Sequence, residues 1–287
     1  MSMRRRCLPP GWYPEDPDAL RKQLSSWLVS GGAASRPADP ATVAALTPHA
    51  GWAFSGRLAA MAAASLPTPA EGSALTVAIF GGHLPSGARA LAARESSFDT
   101  PLGAIDADGE LLAALDGRVR LGRDEEEDNT VEVLLPIIAL VFPGARVLWL
   151  RAPNDLSSID LGEELCAAAR AIGRGVVGLG SSDLTHYGPA YGFSPKGRGG
   201  AAEAWVRGTN DRRFIDALLA MDGSEALSLA AAERSACSPG AAAAALSFAR
   251  AMGADRARLL DYATSLDARP SDSFVGYAAI AFQKERA

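Results

Sequence analysis

Along this chain, short apolar runs take turns with segments of helical periodicity, and that alternation constrains the fold more than any other feature. "TVAALTPHAG" reads as a short strand ending in a Pro/Gly turn. "SALTVAIFGGH", "ARVLWLRAP" and "GVVGLGSSDL" read as further strands, the first of them buried and ending at Gly81 and Gly82. Between them lie helical patterns. "DPDALRKQLSSWLVS" is capped near Asp16 or Asp18 and sets Leu20, Leu24 and Leu28 on one face. "SGRLAAMAAASL" opens with Ser55, "TVEVLLPIIALVF" carries Pro136 in its first turns or at a kink, and "LGEELCAAARAI" follows. A largely helical stretch runs from Ala201 to Met252, and "RLLDYATSL" and "SFVGYAAIAFQ" close the chain as two strands. Strands interleaved with helices predict an α/β sandwich, a central mixed sheet flanked by helices. No long linker or repeat interrupts the pattern, so the expectation is one domain over residues 1–287.

Charge narrows the partners. With 33 acidic and 28 basic residues the net charge is −5, which argues against a general affinity for nucleic acid or an anionic membrane. No apolar segment of signal-peptide type follows the basic start "MSMRRRC". The longest strongly apolar run, Val133 to Phe142, is too short to span a bilayer and contains Pro136. Three cysteines, Cys7, Cys166 and Cys237, make no disulfide framework, so a reducing cytoplasm is the expected location. The acidic run "GRDEEEDNT" is expected to be a solvated loop preceding a helix. "SPKGRGG", from Ser194 to Gly200, is expected to be a loop kept mobile by Gly197, Gly199 and Gly200.

The chain has only three histidines, and each follows a predicted strand. His49 sits in "TPHAGWAFSG", His83 in "FGGHLP" and His186 in "SSDLTHYG". Ligands of open α/β sheets bind outside the carboxyl ends of strands, so three such exits can converge on one rim. Neutral imidazole is a common metal ligand, and the small neighbours leave room for a metal or substrate. From this pattern alone a shared site and three separate hydrogen-bonded structural histidines stand side by side, and no HExxH or CxxC spacing decides between them.

Several stretches resemble the Memo family, whose bacterial and archaeal members are called AmmeMemoRadiSam system protein B. "PHAGWAFSG" resembles its PHAGY-x-Y-SG segment, "DTPLG" its TPLG segment and "SSDLTHYGPAYG" its SSDLSHYG segment. "GWYPEDPDALRKQL", "ACSPGAAAAAL" and "DYATSLDARPSDSFVGYAAIAF" resemble its opening, its Cys-Gly helix start and its closing strands. The order is kept over nearly the whole chain. The resemblance implies a fold like that of LigB-like class III extradiol dioxygenases, which hold non-haem iron. It implies His49, His83 and Cys237 as ligands of one divalent metal, iron first, with copper or zinc suited by the softer thiolate. It implies Asp183 and His186 as a polar catalytic pair beside that metal. If the three ligands share an ion, their donor atoms should lie within roughly 4 Å of one another.

Two departures mark this chain. Where the family commonly has an EHS-x-E segment, this chain reads "DNTVEVLLP", so Asn129 stands at the histidine position while Glu132 is kept. Asn129 can hydrogen-bond but cannot carry a proton at neutral pH. "FGGH" also replaces the usual GP-x-H. Tyr187 and Trp52 are further pocket candidates as aromatic residues able to stack on a ring substrate, whereas Phe54 is expected to pack beneath the loops. Two functional readings follow. One is a metal-dependent redox or oxygen-using enzyme acting on a small molecule beside a radical-SAM partner. The other is a non-catalytic protein that holds a metal or a peptide in the same cleft.

Overall fold

The computed structural model describes residues 2–30, 39–68 and 75–285. Its centre is a nine-stranded mixed sheet. Six strands carry most of it: β1 (Thr42–Thr47), β2 (Leu75–Leu84), β3 (Arg146–Pro153), β4 (Gly175–Ser181), β5 (Arg256–Thr264) and β6 (Phe274–Gln283). Ser73 and Ala74, included in the predicted second strand, lie outside the described residues. In space the order is β6, β1, β4, β2, β3, and the four strands from β1 to β3 in that order run parallel. The last two strands lie antiparallel to their neighbours, β6 on β1 and β5 on β6. Two-residue strands at Leu91–Ala92, Gly122–Arg123 and His186–Tyr187 extend the edges.

Helices cover both faces. On one side α1 (Pro17–Ser30) packs on α2 (Trp52–Ala64). Asp16 caps α1, its carboxylate accepting from the Ala19 N–H at 2.8 Å, and Pro17 takes the first helical position. Helix α2 starts at Trp52, three residues before the expected Ser55, whose hydroxyl instead donates to the Ala50 carbonyl. On the other side lie α3 (Ser157–Ala171) and α4 (Pro239–Ala251). Alternation along each strand feeds two cores. Val77 and Ile79 of β2 face α1 and α2, while Ala78 and Phe80 face α3 and α4.

The predicted helix over "TVEVLLPIIALVF" is two short ones, Asn129–Glu132 and Leu135–Val141, with Pro136 in the opening turn of the second. The acidic run before it is solvated only in part, for Glu125, Glu126 and Glu127 are exposed while Asp124 and Asp128 are buried. Asp124 is fully buried, accepting from Trp149 Nε1 at 2.8 Å and pairing with Arg151 at 3.3 Å. Glu126 and Asp128 pair with the same guanidinium at 2.6 and 3.5 Å. Three carboxylates on one buried arginine make this run a wall, because a buried charge persists only when it is paired. The Ser194–Gly200 loop is likewise tied down rather than loose. The Tyr187 hydroxyl donates to the Gly197 carbonyl at 2.9 Å and accepts from the Lys196 N–H at 3.0 Å. No helix among the described residues is long and apolar enough to cross a membrane.

Candidate metal centre

All four parallel strands end at one edge of the sheet, and the candidate ligands leave from there. Pro48 carries β1 into His49, β2 holds His83 next to its last residue, and Asp183 lies two residues past β4. Cys237 comes from a different element, the turn just before α4. Its N–H donates to the Asp183 carbonyl at 3.1 Å, and the Ser238 N–H donates to Ser182 Oγ at 3.2 Å. This lashes the cysteine turn onto the exit of β4.

The double glycine of "FGGH" follows from the same crowding. A Cβ on Gly82 would stand 2.1 Å from the Ser238 side chain, so only glycine allows the turn to approach. His83 itself takes φ 61°, the left-handed region that non-glycine residues rarely occupy. Strain of this kind is held only where surrounding contacts impose it, and here the His83 N–H donates to Ser238 Oγ at 3.2 Å.

His49, His83 and Cys237 each present one donor atom, and the three atoms all lie within 4.8 Å of one another. That is somewhat wider than the expected spacing. His49 is buried, Cys237 half-buried and His83 open to the cleft. His49 Nε2 lies 3.2 Å from Cys237 Sγ, and the two imidazoles meet edge to face with centroids 5.0 Å apart. Hydrogen bonding fixes which nitrogen is offered. Ser181 Oγ donates to the Thr130 carbonyl at 2.5 Å, so it accepts from His49 Nδ1–H at 2.9 Å and leaves Nε2 facing the thiol. His83 Nδ1 lies 2.9 Å from Asp128 Oδ2, which leaves its Nε2 for the cluster. A carboxylate behind a ligand imidazole is the usual way of fixing its tautomer.

The electrostatics of the three groups are reciprocal. Burial opposes charge on His49, but the Cys237 thiol and the Asp183 carboxylate outweigh it and raise its pKa. Burial also opposes charge on His83, yet the Asp128 hydrogen bond and Cys237 push it up to about 10. Burial would raise the Cys237 thiol, but His49 and His83 bring it well below its ordinary value. The thiolate is the form of cysteine that ligates metal. Two imidazole nitrogens and one thiolate, oriented from behind and converging, fit a divalent transition metal as a donor set.

Above the cluster opens a cleft of about 840 Å³, with His49 and His83 on its floor. Asp183 and His186 line it, as does Asn129, whose amide donates to the His49 carbonyl at 3.0 Å. Asp183 Oδ1 accepts from the His49 N–H at 2.8 Å, and burial raises its pKa in spite of the nearby His49. His186 Nδ1 lies 3.1 Å from the Leu184 carbonyl, and its ring stands edge-on to Tyr191 at 4.9 Å.

Three expected pocket residues stand elsewhere. Tyr187 is buried behind the site, stacked on Phe274 at 5.2 Å, because its hydroxyl is used by the Ser194–Gly200 loop. Trp52 is buried in the helix layer, its Nε1–H donating to the Val133 carbonyl at 3.0 Å. Glu132 is buried beneath the N-terminal segment, accepting from the Cys7 and Leu8 N–H groups and from the Tyr13 hydroxyl at 2.8–3.1 Å. Cys7 is therefore no bystander. Burial and the Glu132 carboxylate push its thiol, which donates to Glu132 at 2.9 Å, up to about 12. Phe54, expected beneath the loops, lines the cleft and is 40% exposed. Sequence reasoning missed Asp128, Trp12, Tyr191, Arg269 and Tyr277. Asp128 carried a signal, since Asp-Asn-Thr before a helical turn is a capping pattern, and its Oδ1 accepts from the Thr130 N–H at 2.8 Å.

A sequence model of the family described as "Memo-like protein" matches residues 4–281. A "MEMO1 family protein" of Thermococcus onnurineus is 32% identical, the alignment covering 95% of this chain and 97% of the relative. Another of that name from Methanopyrus kandleri is also 32% identical, over 95% and 96%. One from Archaeoglobus fulgidus is 29% identical over 98% and 100%.

Proposed function

The chain belongs to the Memo-like protein family, and from that membership we propose that it binds one divalent transition metal through His49, His83 and Cys237 and acts as a metal-dependent redox or oxygen-using enzyme. Iron is the first choice of metal, with copper or zinc as the softer alternatives. The observation that carries this reading is the meeting of the three donor atoms within 4.8 Å, each from a different part of the chain. When bound, the metal would supply a Lewis-acid and redox centre facing the cleft.

The surrounding residues have separable tasks. Asp128 and Ser181 orient the two ligand imidazoles. The Leu184 carbonyl can only accept, so His186 keeps its proton on Nδ1 and presents Nε2 as the atom that takes or gives a proton. Asp183, held by the His49 N–H, fixes the floor of the cleft. Asn129 supports the second reading, a non-catalytic metal holder or peptide binder, because an amide now stands in the cleft where the family commonly has a histidine.

The decisive experiment is metal analysis of protein purified without an affinity tag, followed by anaerobic titration with Fe(II). Wild type should take up one equivalent, and the His49→Ala/His83→Ala variant none, with unchanged circular dichroism. Unaltered stoichiometric binding by the variant would sink the assignment. Oxygen consumption with a catechol panel then separates the two readings. A signal that His186→Ala abolishes and Asn129→His strengthens supports the enzyme, and none in any variant supports the holder.

A further inference from the structure

The partners behind the two imidazoles are joined to each other. Ser181, the last residue of β4, stands behind His49, and Asp128 stands behind His83. Among the described residues, Thr130 is the one hydrogen-bonded to both of these partners. It is fully buried in the four-residue helix Asn129–Glu132, a single turn with little stiffness of its own.

Every polar atom of Thr130 is engaged. Its carbonyl accepts from Ser181 Oγ at 2.5 Å, which turns a lone pair of that hydroxyl to His49 Nδ1–H. Its N–H donates to Asp128 Oδ1 at 2.8 Å, and its own hydroxyl donates to the same oxygen, so that Oδ2 is left for His83. The hydroxyl also accepts from the Gly82 N–H at 3.1 Å, one residue before His83. The Gly82 carbonyl in turn accepts from Arg151 Nε at 2.9 Å, so both backbone polar groups of Gly82 are fixed. The approach is close: a Cβ on Gly81 would lie 2.4 Å from Thr130 Oγ1. One residue thus holds His49 through its main chain and His83 through its side chain. In a buried network this tight, a movement that breaks one set of bonds displaces the other.

We propose that Thr130 is a positioning residue for both His49 and His83, tying the two imidazoles into one preset arrangement instead of two independent ones. This rests on the reading of His49 and His83 as metal ligands and goes beyond it by making their orientations depend on a single side chain that touches neither ring. Orientation set before a metal arrives lowers the cost of binding it, because little is left to order.

The chain has three histidines, so isotope labelling of histidine alone gives an NMR spectrum with three Nδ1–H signals. His186, whose Nδ1 faces the Leu184 carbonyl, is the internal control. The signals and their exchange with water are followed in the full chain, metal-free and after one equivalent of Zn(II). Thr130→Val keeps the shape of the side chain and removes the hydroxyl. It should displace the His49 and His83 signals together, speed their exchange at least about tenfold and leave His186 unchanged. It should also weaken zinc binding about 10–100-fold. Thr130→Ser restores the hydroxyl and should restore both signals and the affinity. Asp128→Asn turns an amide toward His83 but keeps an acceptor for Thr130, so it should displace the His83 signal alone. If circular dichroism shows Thr130→Val unfolded, Asp128→Ala makes the same test: it strips the hydroxyl of its acceptor and should reach His49, which Asp128 does not touch. The proposal is overturned by a wild type without protected Nδ1–H signals at His49 and His83, or by either signal staying in place in Thr130→Val, or by the His49 signal staying in place in Asp128→Ala. Equal displacement of His186, no rescue by Thr130→Ser, or a His49 signal that moves in Asp128→Asn overturns it as well. Failure of the metal reading looks different: the metal-free pattern holds while wild type binds no zinc.

Discussion

The two imidazoles of the candidate metal centre are oriented by chemically different partners, a hydroxyl behind His49 and a carboxylate behind His83. The carboxylate should matter more, because it also favours the charge that a bound metal supplies. Asp128→Asn keeps the cap on the Thr130 N–H and the side-chain shape but removes the charge. It should weaken metal binding about 10–100-fold in a chelator-competition titration while leaving helix content unchanged. An affinity equal to wild type would mean that Asp128 only caps. A second buried acid, Asp211, sits behind the His186 segment. It accepts from the Thr185 N–H at 3.0 Å and from the Tyr262 hydroxyl at 2.7 Å. Burial pushes its pKa up to about 6, although Thr185 and Tyr262 pull the other way. The folded state therefore holds this proton more tightly than the unfolded chain, whose ordinary value is 3.8. That stabilisation is complete below the unfolded value and is lost as pH rises through about 6. Relative to Asp211→Asn, wild type should lose on the order of 2–3 kcal/mol between pH 4 and 7 in urea denaturation. A difference that does not vary with pH would show that this carboxyl titrates normally.

Among the elements, α4 tolerates the least. Every residue from Pro239 to Ala249 is buried, and small residues let it sit tightly against α3 and β4. A Cβ on Gly162 of α3 would lie 2.2 Å from the Ala244 carbonyl of α4. Gly162→Ala should therefore force the helices apart and cost about 1–3 kcal/mol, read as a lower thermal midpoint, even though alanine favours helices. A raised midpoint would show that the crossing relaxes freely. The strands and helices were legible in sequence wherever periodicity was strong, as in Leu20 and Leu24 of α1 or the apolar runs of β2 and β4. The burial of Asp124 and Asp128 within the acidic run was not legible, because a string of carboxylates reads as solvated until Arg151, on a strand 27 residues beyond Asp124, is known to face it. His49, His83 and His186 could be found from their strand exits. Glu132, Trp52 and Tyr187 were misplaced because local sequence does not say which face of a short helix or strand is turned to the cleft. Phe54 failed the other way, since an aromatic on an apolar helix reads as core.

At the scale of the whole molecule, the cleft is walled by segments far apart in sequence. Trp12 comes from one side and Ser265 to Tyr277 from the other, and Glu132 is the buried peg that holds the N-terminal segment in place. Glu132→Ala removes the acceptor for Cys7, Leu8 and Tyr13. Amides of residues 7–13 should then exchange with deuterium much faster while those of β1 and β4 keep their protection. Uniform acceleration through the sheet would instead mean that Glu132 supports the entire fold. The sheet has the same long reach. Strand β6 lies beside β1, and the Gln283 side chain donates to Thr42 Oγ1 across 241 residues of sequence. On the ribosome, β1 emerges early and keeps that edge unpaired until the final strand has been made. His49 and His83 are then synthesised long before Cys237, and a metal captured early would be held by two imidazoles without the thiolate. If the three residues hold a metal as proposed, the full donor set exists only once Cys237 has been made.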